Sequence, residues 1–248
     1  MKFFSWERAV VEHFDASAAS YASAYGHADP VAHFFLTRQK IILTHLARFP
    51  GGRILDVGCG PGLMAQPCAD LGFYYAGIDL SPAMIGECRR RFGHLDGVGF
   101  SVGRMQSLPF GDDYFDALLC MGALEYIPPS EETAALKEIA RVVKPRGLVL
   151  ISLLNRLSPY WLWKHLAHKR SRQSVPIREF TESASRAMMQ KHGLKLEETN
   201  YYGFNVFPFP LDRRFPHIAV RTAERLERLN RGSLRWLGNA FIIVARRH

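Results

Sequence analysis

The chain is poor in the residues that would tie it to metal, disulfide or membrane chemistry. Its 248 residues hold four cysteines, Cys59, Cys68, Cys88 and Cys120, and no Cys-x-x-Cys pair. That spacing suggests neither a zinc site nor a redox motif, and we expect reduced, partly buried thiols. No apolar run approaches the roughly 18 residues that suggest a membrane span. The start, Met1 to Arg8, meets charge before a secretory core can form, so a cytoplasmic protein is expected. Acids are scarce in one half. Residues 1–140 hold 11 Lys and Arg against 16 Asp and Glu, whereas residues 141–248 hold 21 against 7. The positive half suits an anionic substrate, an acidic carrier, an anionic membrane surface or nucleic acid, and equally a solvated Arg-rich helix face.

The most informative stretch is Arg53-Ile54-Leu55-Asp56-Val57-Gly58-Cys59-Gly60-Pro61-Gly62. A short apolar run reads as a buried parallel strand. Glycines follow at alternate positions, and a helical pattern begins at Leu63. Strand, glycine turn and helix bring bare backbone N–H groups close to a ligand. Further strands are expected at Tyr74–Asp79, Val98–Val102, Tyr114–Met121, Leu148–Leu153, Leu194–Tyr202 and Phe241–Ala245. Helices alternate with them. Ser81 and Thr181 stand as caps, and Pro82 suits a first helical turn. This rhythm means an α/β fold, a doubly wound, seven-stranded and mostly parallel sheet. We expect one domain over residues 1–248. Residues 1–50 form an N-terminal lid, 51–153 the cofactor core, and 154–178 and 203–236 substrate-side insertions.

Two readings of the glycine loop compete. A nicotinamide enzyme wants G-x-G-x-x-G. Here position 63 is Leu, and Asp56 directly before the loop would repel a pyrophosphate. Asp56 suits an ammonium or a sulfonium instead. Asp79, 21 residues after Gly58, ends the next strand, where a carboxylate can accept both ribose hydroxyls. A ribose, a positive charge and no phosphates describe S-adenosylmethionine.

Ile54 to Gly62 looks like the first motif of the class I S-adenosylmethionine-dependent methyltransferases. The resemblance continues through Gly77 to Pro82, Ser107 to Phe110, Phe115 to Leu118 and Leu136 to Gly147. It covers roughly residues 40–200 plus the last strand, and the nearest group is the small-molecule branch of quinone and sterol methyltransferases. It implies that Asp56, Gly58, Cys59 and Gly60 shape the loop around the methionine end. Asp79 would hold the ribose, with Leu80 beside the adenine and Met105 and Gln106 at its edge. Met121 would lie along the cofactor, and Tyr21 or Tyr25 would close over it.

The chain also departs from its relatives. Arg104 stands where many carry an acid before the adenine contact. Only Glu125 remains of the Glu-x-x-Glu-His cluster that some quinone O-methyltransferases carry, so no metal is expected. The Asn/Asp-Pro-Pro-Tyr motif of nucleic-acid amino methylation is absent, which argues against base N-methylation, and an RNA substrate is a lesser alternative raised by the basic half. For a hydroxyl acceptor the candidate bases are Glu125, Tyr126 and His165. Tyr160, Trp161 and Trp163 beside Lys164, Lys169 and Arg170 suit an interfacial membrane anchor over 160–172, a substrate lid or plain packing. The expected reaction is methyl transfer to a small, apolar or aromatic acceptor, at oxygen. The alternatives are a dinucleotide-dependent oxidoreductase, and a protein that binds S-adenosylmethionine without transferring methyl.

Overall fold

A computed structural model describes residues 4–23, 30–49, 51–161, 163, 175–204, 214–229 and 232–248. Seven strands form one sheet. They are β1 (Gly52–Val57), β2 (Phe73–Asp79), β3 (Val98–Val102), β4 (Phe115–Met121), β5 (Val143–Leu154), β6 (Leu194–Tyr202) and β7 (Ala240–Arg247). Their order is β3-β2-β1-β4-β5-β7-β6. β1 to β5 run parallel, and β7 lies antiparallel between β5 and β6. The chain turns one way after β1 and the other way after β4. That reversal opens a crevice at the carboxyl ends of the central strands, where open α/β sheets bind ligands.

Strand alternation builds two cores. Leu55, Val57, Leu118, Val149 and Ile151 face one side, together with Leu136 and Ile139 from helix α5 (Pro129–Val142). Ile54, Ala117, Leu119, Leu148 and Leu150 face the other, against Ile42 and Leu46 of α2 (Pro30–Leu46). Asp56 shares the parity of Ile54, so its side chain enters the second face among apolar neighbours. The four cysteines are free and buried, as their spacing suggested.

The expected caps are in place. Ser81 accepts the Met84 N–H at the start of α4 (Pro82–Phe92). Thr181 accepts the Ala184 N–H at the start of α6 (Glu182–Lys191), the helix before β6. Most strand ends fall within two residues of expectation, and the largest difference is in β5. β5 begins at Val143, five residues early, because Val143 already pairs with Phe115 across a register shift in β4. The Arg-rich helix α7 spans Pro216–Leu226 and tightens into a single 3-10 turn, Glu227–Leu229. The N-terminal segment is more regular than its composition suggested. Ser5–Ser23 is one helix, α1, packed on α4. A short α3 (Ala65–Asp70) follows the glycine loop.

Candidate active site

The loop after β1 is fixed by backbone bonds to β2. The N–H groups of Gly58 and Cys59 both donate to the Ile78 carbonyl, at 2.7 and 3.1 Å. Gly60 N–H donates to Asp79 Oδ2 and Ser81 N–H to Asp79 Oδ1, each at 2.9 Å. The Cys88 thiol donates to the Gly60 carbonyl at 3.0 Å. The first two glycines of the alternation have different reasons. A Cβ on Gly58, at φ +71°, would lie 2.3 Å from the Ala123 Cβ, so packing against the loop after β4 demands glycine there. Gly60, at φ +52°, meets nothing within 4 Å, because its Cα borders open space.

That space is a cavity of about 1150 Å³, mouth included. Ten of the expected cofactor residues line it: Tyr21, Asp56, Gly58, Cys59, Gly60, Asp79, Leu80, Met105, Gln106 and Met121. Tyr126 lines it too. Tyr25 and His165 lie outside the described residues, as do Lys164, Lys169, Arg170 and Arg172.

Its polar groups are poised for a cation and a sugar. Asp56 Oδ2 accepts the Tyr75 hydroxyl at 2.7 Å, while Oδ1 is buried without a hydrogen bond. Burial pushes the Asp56 carboxyl up to about 6, against the pull of the Tyr75 bond and Arg38. An ammonium beside Oδ1 would satisfy the orphaned oxygen and restore the charge. Asp79 is also raised by burial, eased by the backbone bonds from Ser81 and Gly60. Each of its oxygens keeps a second lone pair for a ribose hydroxyl. The Gln106 side-chain nitrogen is buried without a partner, at the expected adenine edge. These residues fit S-adenosylmethionine.

Arg104, which also lines the cavity, is engaged by the N-terminal helix. Its guanidinium donates to Glu7 Oε2 at 2.6 Å, tethering α1 across the cavity. Asp15 of the same helix accepts the Ser81 hydroxyl at 2.5 Å and the Ala83 N–H at 3.2 Å. Trp6, Val10, Phe14 and Tyr21 form the cavity face of α1. Of these the sequence pointed only to Tyr21, although positions 6, 10 and 14 recur at the four-residue helical spacing. Arg38 was missed as well. It sits four residues from both Phe34 and Ile42, so a charge lies on the buried side of an apolar helix, which is a readable signal.

A second cavity, about 1080 Å³ with its mouth, adjoins the first. Tyr21, Phe35, Arg38, Gly122 and Tyr126 line both. Tyr160, Trp161, Leu154 and Ile177 add apolar walls. The Trp161 indole N–H is anchored on the Asn239 carbonyl at 2.9 Å. Trp163, by contrast, is exposed. Glu125 lines this second cavity and not the first. Its side chain is buried, and neither oxygen makes a hydrogen bond. Burial raises its carboxyl to about 7, with Arg38 among the opposing influences. Burial also raises the Tyr126 phenol far above its ordinary value. No cluster of three or more His, Cys, Asp or Glu able to hold a metal occurs among the described residues. No described helix is long and apolar enough to cross a membrane.

Comparison with known proteins agrees with this geometry. A methyltransferase domain family matches residues 54–147. A ubiquinone biosynthesis O-methyltransferase of Alkalilimnicola ehrlichii is 33% identical over 168 residues, 67% of each chain. One from Xanthomonas euvesicatoria pv. vesicatoria is 28% identical over 80% of this chain and 85% of its own. A match in Xanthomonas oryzae pv. oryzae, 39% identical, spans only 44% of that protein. Among solved structures, magnesium protoporphyrin IX methyltransferase of Synechocystis PCC 6803, with bound S-adenosylhomocysteine, has a TM-score of 0.69. It is 16% identical, with 96% of this chain and 98% of that one covered, so the likeness is one of fold. The motif, the sheet order, the paired carboxylates and these relatives converge: the chain belongs to the class I S-adenosylmethionine-dependent methyltransferases.

Proposed function

We propose that this protein transfers the methyl group of S-adenosylmethionine to a hydroxyl oxygen of a small apolar or aromatic acceptor, releasing S-adenosylhomocysteine. The observation that carries the reading is the second cavity. It shares five wall residues with the first, includes six aromatic side chains in its lining, and holds one buried carboxylate, Glu125. When bound, the cofactor supplies an electrophilic methyl carbon. The chain's own tasks are alignment, exclusion of water and removal of the hydroxyl proton. Tyr21, Phe35 and Tyr126 form the shared wall that would align the acceptor. Glu125 is the base we assign, because a buried carboxyl near 7 is half ionised at neutral pH. Tyr126, with its phenol raised, stays protonated and would act as a hydrogen-bond donor. Asp56 would hold the methionine ammonium, Asp79 the ribose, and Leu80, Met105 and Gln106 the adenine side.

The preference for oxygen draws on the names of the relatives. A dinucleotide is not favoured, since Asp56 faces the cavity beside the glycine loop, where a pyrophosphate would have to sit. Two finer points belong to the same reading. Residues 1–50 act as the lid, and exposed Trp163 with the basic 160–172 segment contacts an anionic membrane surface when the acceptor is lipophilic.

The test is Glu125→Gln. Turnover should fall by roughly 10²–10⁴, with S-adenosylhomocysteine affinity unchanged. The wild-type rate should be half-maximal near pH 7 and level off about a unit above it. Retained turnover with an unaltered pH profile would remove Glu125 from the role.

A further inference from the structure

The second cavity has another polar end. His33, on the first turn of α2, lines it. Its Nε2 is sealed from solvent, makes no hydrogen bond, and faces the Glu227 carboxylate at 3.8 Å. Glu227 is itself held by accepting the Gly203 N–H at 3.2 Å. Nδ1 is not sealed without a partner as Nε2 is, and the His33 side chain is 17% exposed. Phe34, Ala219, Val220 and Ala223 line the same cavity as His33, and the Glu227 and Glu224 carboxyls act on the ring. Unlike Arg38, His33 does not line the cofactor cavity. Five residues of α2 separate the two, about 7.5 Å of helix rise. His33 therefore marks the end of the acceptor cavity remote from the donor.

The chemistry of that end follows from its pair. Burial raises the Glu227 carboxyl to about 7, so above neutral pH a carboxylate stands beside Nε2; it favours the tautomer with the proton there, which leaves the other nitrogen as an acceptor. Burial lowers the His33 pKa against the pull of Glu224, so the ring is neutral at neutral pH. A lone acceptor in an apolar wall favours a ligand that brings a donor, and disfavours one that cannot.

We propose that His33, oriented by Glu227, is a specificity subsite that accepts a hydrogen bond from a second hydroxyl group of the acceptor. The substrate class is then an aromatic with hydroxyls at two separated ends, one methylated and one bound by His33. This rests on the acceptor-cavity reading above.

Two probes of one shape test it: biphenyl with a para hydroxyl on each ring, and its analogue with a single para hydroxyl. Each is titrated by calorimetry into the protein saturated with S-adenosylhomocysteine. The dihydroxy probe should bind roughly tenfold tighter. His33→Phe should abolish the difference while S-adenosylhomocysteine affinity, which also reports the fold, stays unchanged. His33→Gln, which keeps an acceptor, should retain part of the preference. Equal affinities in the wild type, no binding of either probe, or a preference that survives His33→Phe would each overturn the subsite. Turnover of the probes is read separately. Preference without methyl transfer would contradict the proposed activity and leave the subsite, whereas transfer without preference would do the reverse.

Discussion

Glu7 and Arg104 meet at 2.6 Å although 97 residues separate them in the chain. The contact joins the N-terminal helix to the turn after β3, so α1 is held as a wall of the cofactor cavity. The burial is unequal: the Glu7 side chain is 1% exposed and that of Arg104 20%. Arg104→Ala strands a buried carboxylate whose remaining partner is the Phe4 N–H. It should cost about 3 kcal/mol, and more than Glu7→Ala, which leaves a partly exposed guanidinium that still lies over the Phe4 ring. The double variant Glu7→Gln, Arg104→Met should recover most of the loss. Thermal melts of the four proteins decide it, and equal small losses in both single variants would show that the pair holds nothing.

Gly58 and Ala123 make a second testable contact. In Gly58→Ala the new methyl would overlap Ala123 and also sit at φ +71°. We expect a loss of about 2–4 kcal/mol. Ala123→Gly in the same chain should return the steric share and leave the backbone share, about 1 kcal/mol. Denaturant unfolding of the single and double variants measures the split. No rescue would mean that the loop, and not the contact, sets the cost.

The Asp56 carboxyl gives a pH signature. Its folded value of about 6 lies above the unfolded value of 3.8, so the folded chain binds the extra proton. The stability it contributes is complete below about pH 4 and is lost as the pH rises through 6. A ligand ammonium needs the ionised form. S-adenosylhomocysteine affinity should therefore rise with pH, approaching tenfold per unit below 6, and level off above. Asp56→Asn should flatten the curve. Calorimetric Kd values across that range check it, and a flat wild-type profile would place the ammonium elsewhere.

Trp161 separates acceptor from donor. It lines only the second cavity, and its indole N–H is already used on Asn239. Trp161→Ala should raise the acceptor KM at least tenfold and leave the Kd of S-adenosylhomocysteine within about twofold. The opposite pattern would move this side chain into the cofactor site.

The donor half of the site was legible in the sequence because its chemistry is local. Asp56 to Gly60 is one contiguous loop, and Asp79 follows at a spacing that one α/β unit imposes. The cost of a Cβ at Gly58 was not legible, since Ala123 lies 65 residues away. The acceptor half is assembled from faces of helices that touch only in the fold. Arg38, Phe35 and His33 come from α2, Ala219 and Ala223 from α7, and Trp161 from beyond β5. Arg104 shows the same limit. Its departure from the acid that many relatives carry was readable, yet its partner Glu7 had no signal, because an ion pair between distant segments leaves no periodic trace.

The most direct measurement is transfer of a carbon-13 methyl group from labelled S-adenosylmethionine to an aromatic diol, followed by mass spectrometry and carbon NMR. The expected result is one label per product, at the shift of an aryl methyl ether, with one S-adenosylhomocysteine formed per ether. Cofactor binding without label in any hydroxylated acceptor, or label on carbon or nitrogen, would contradict it.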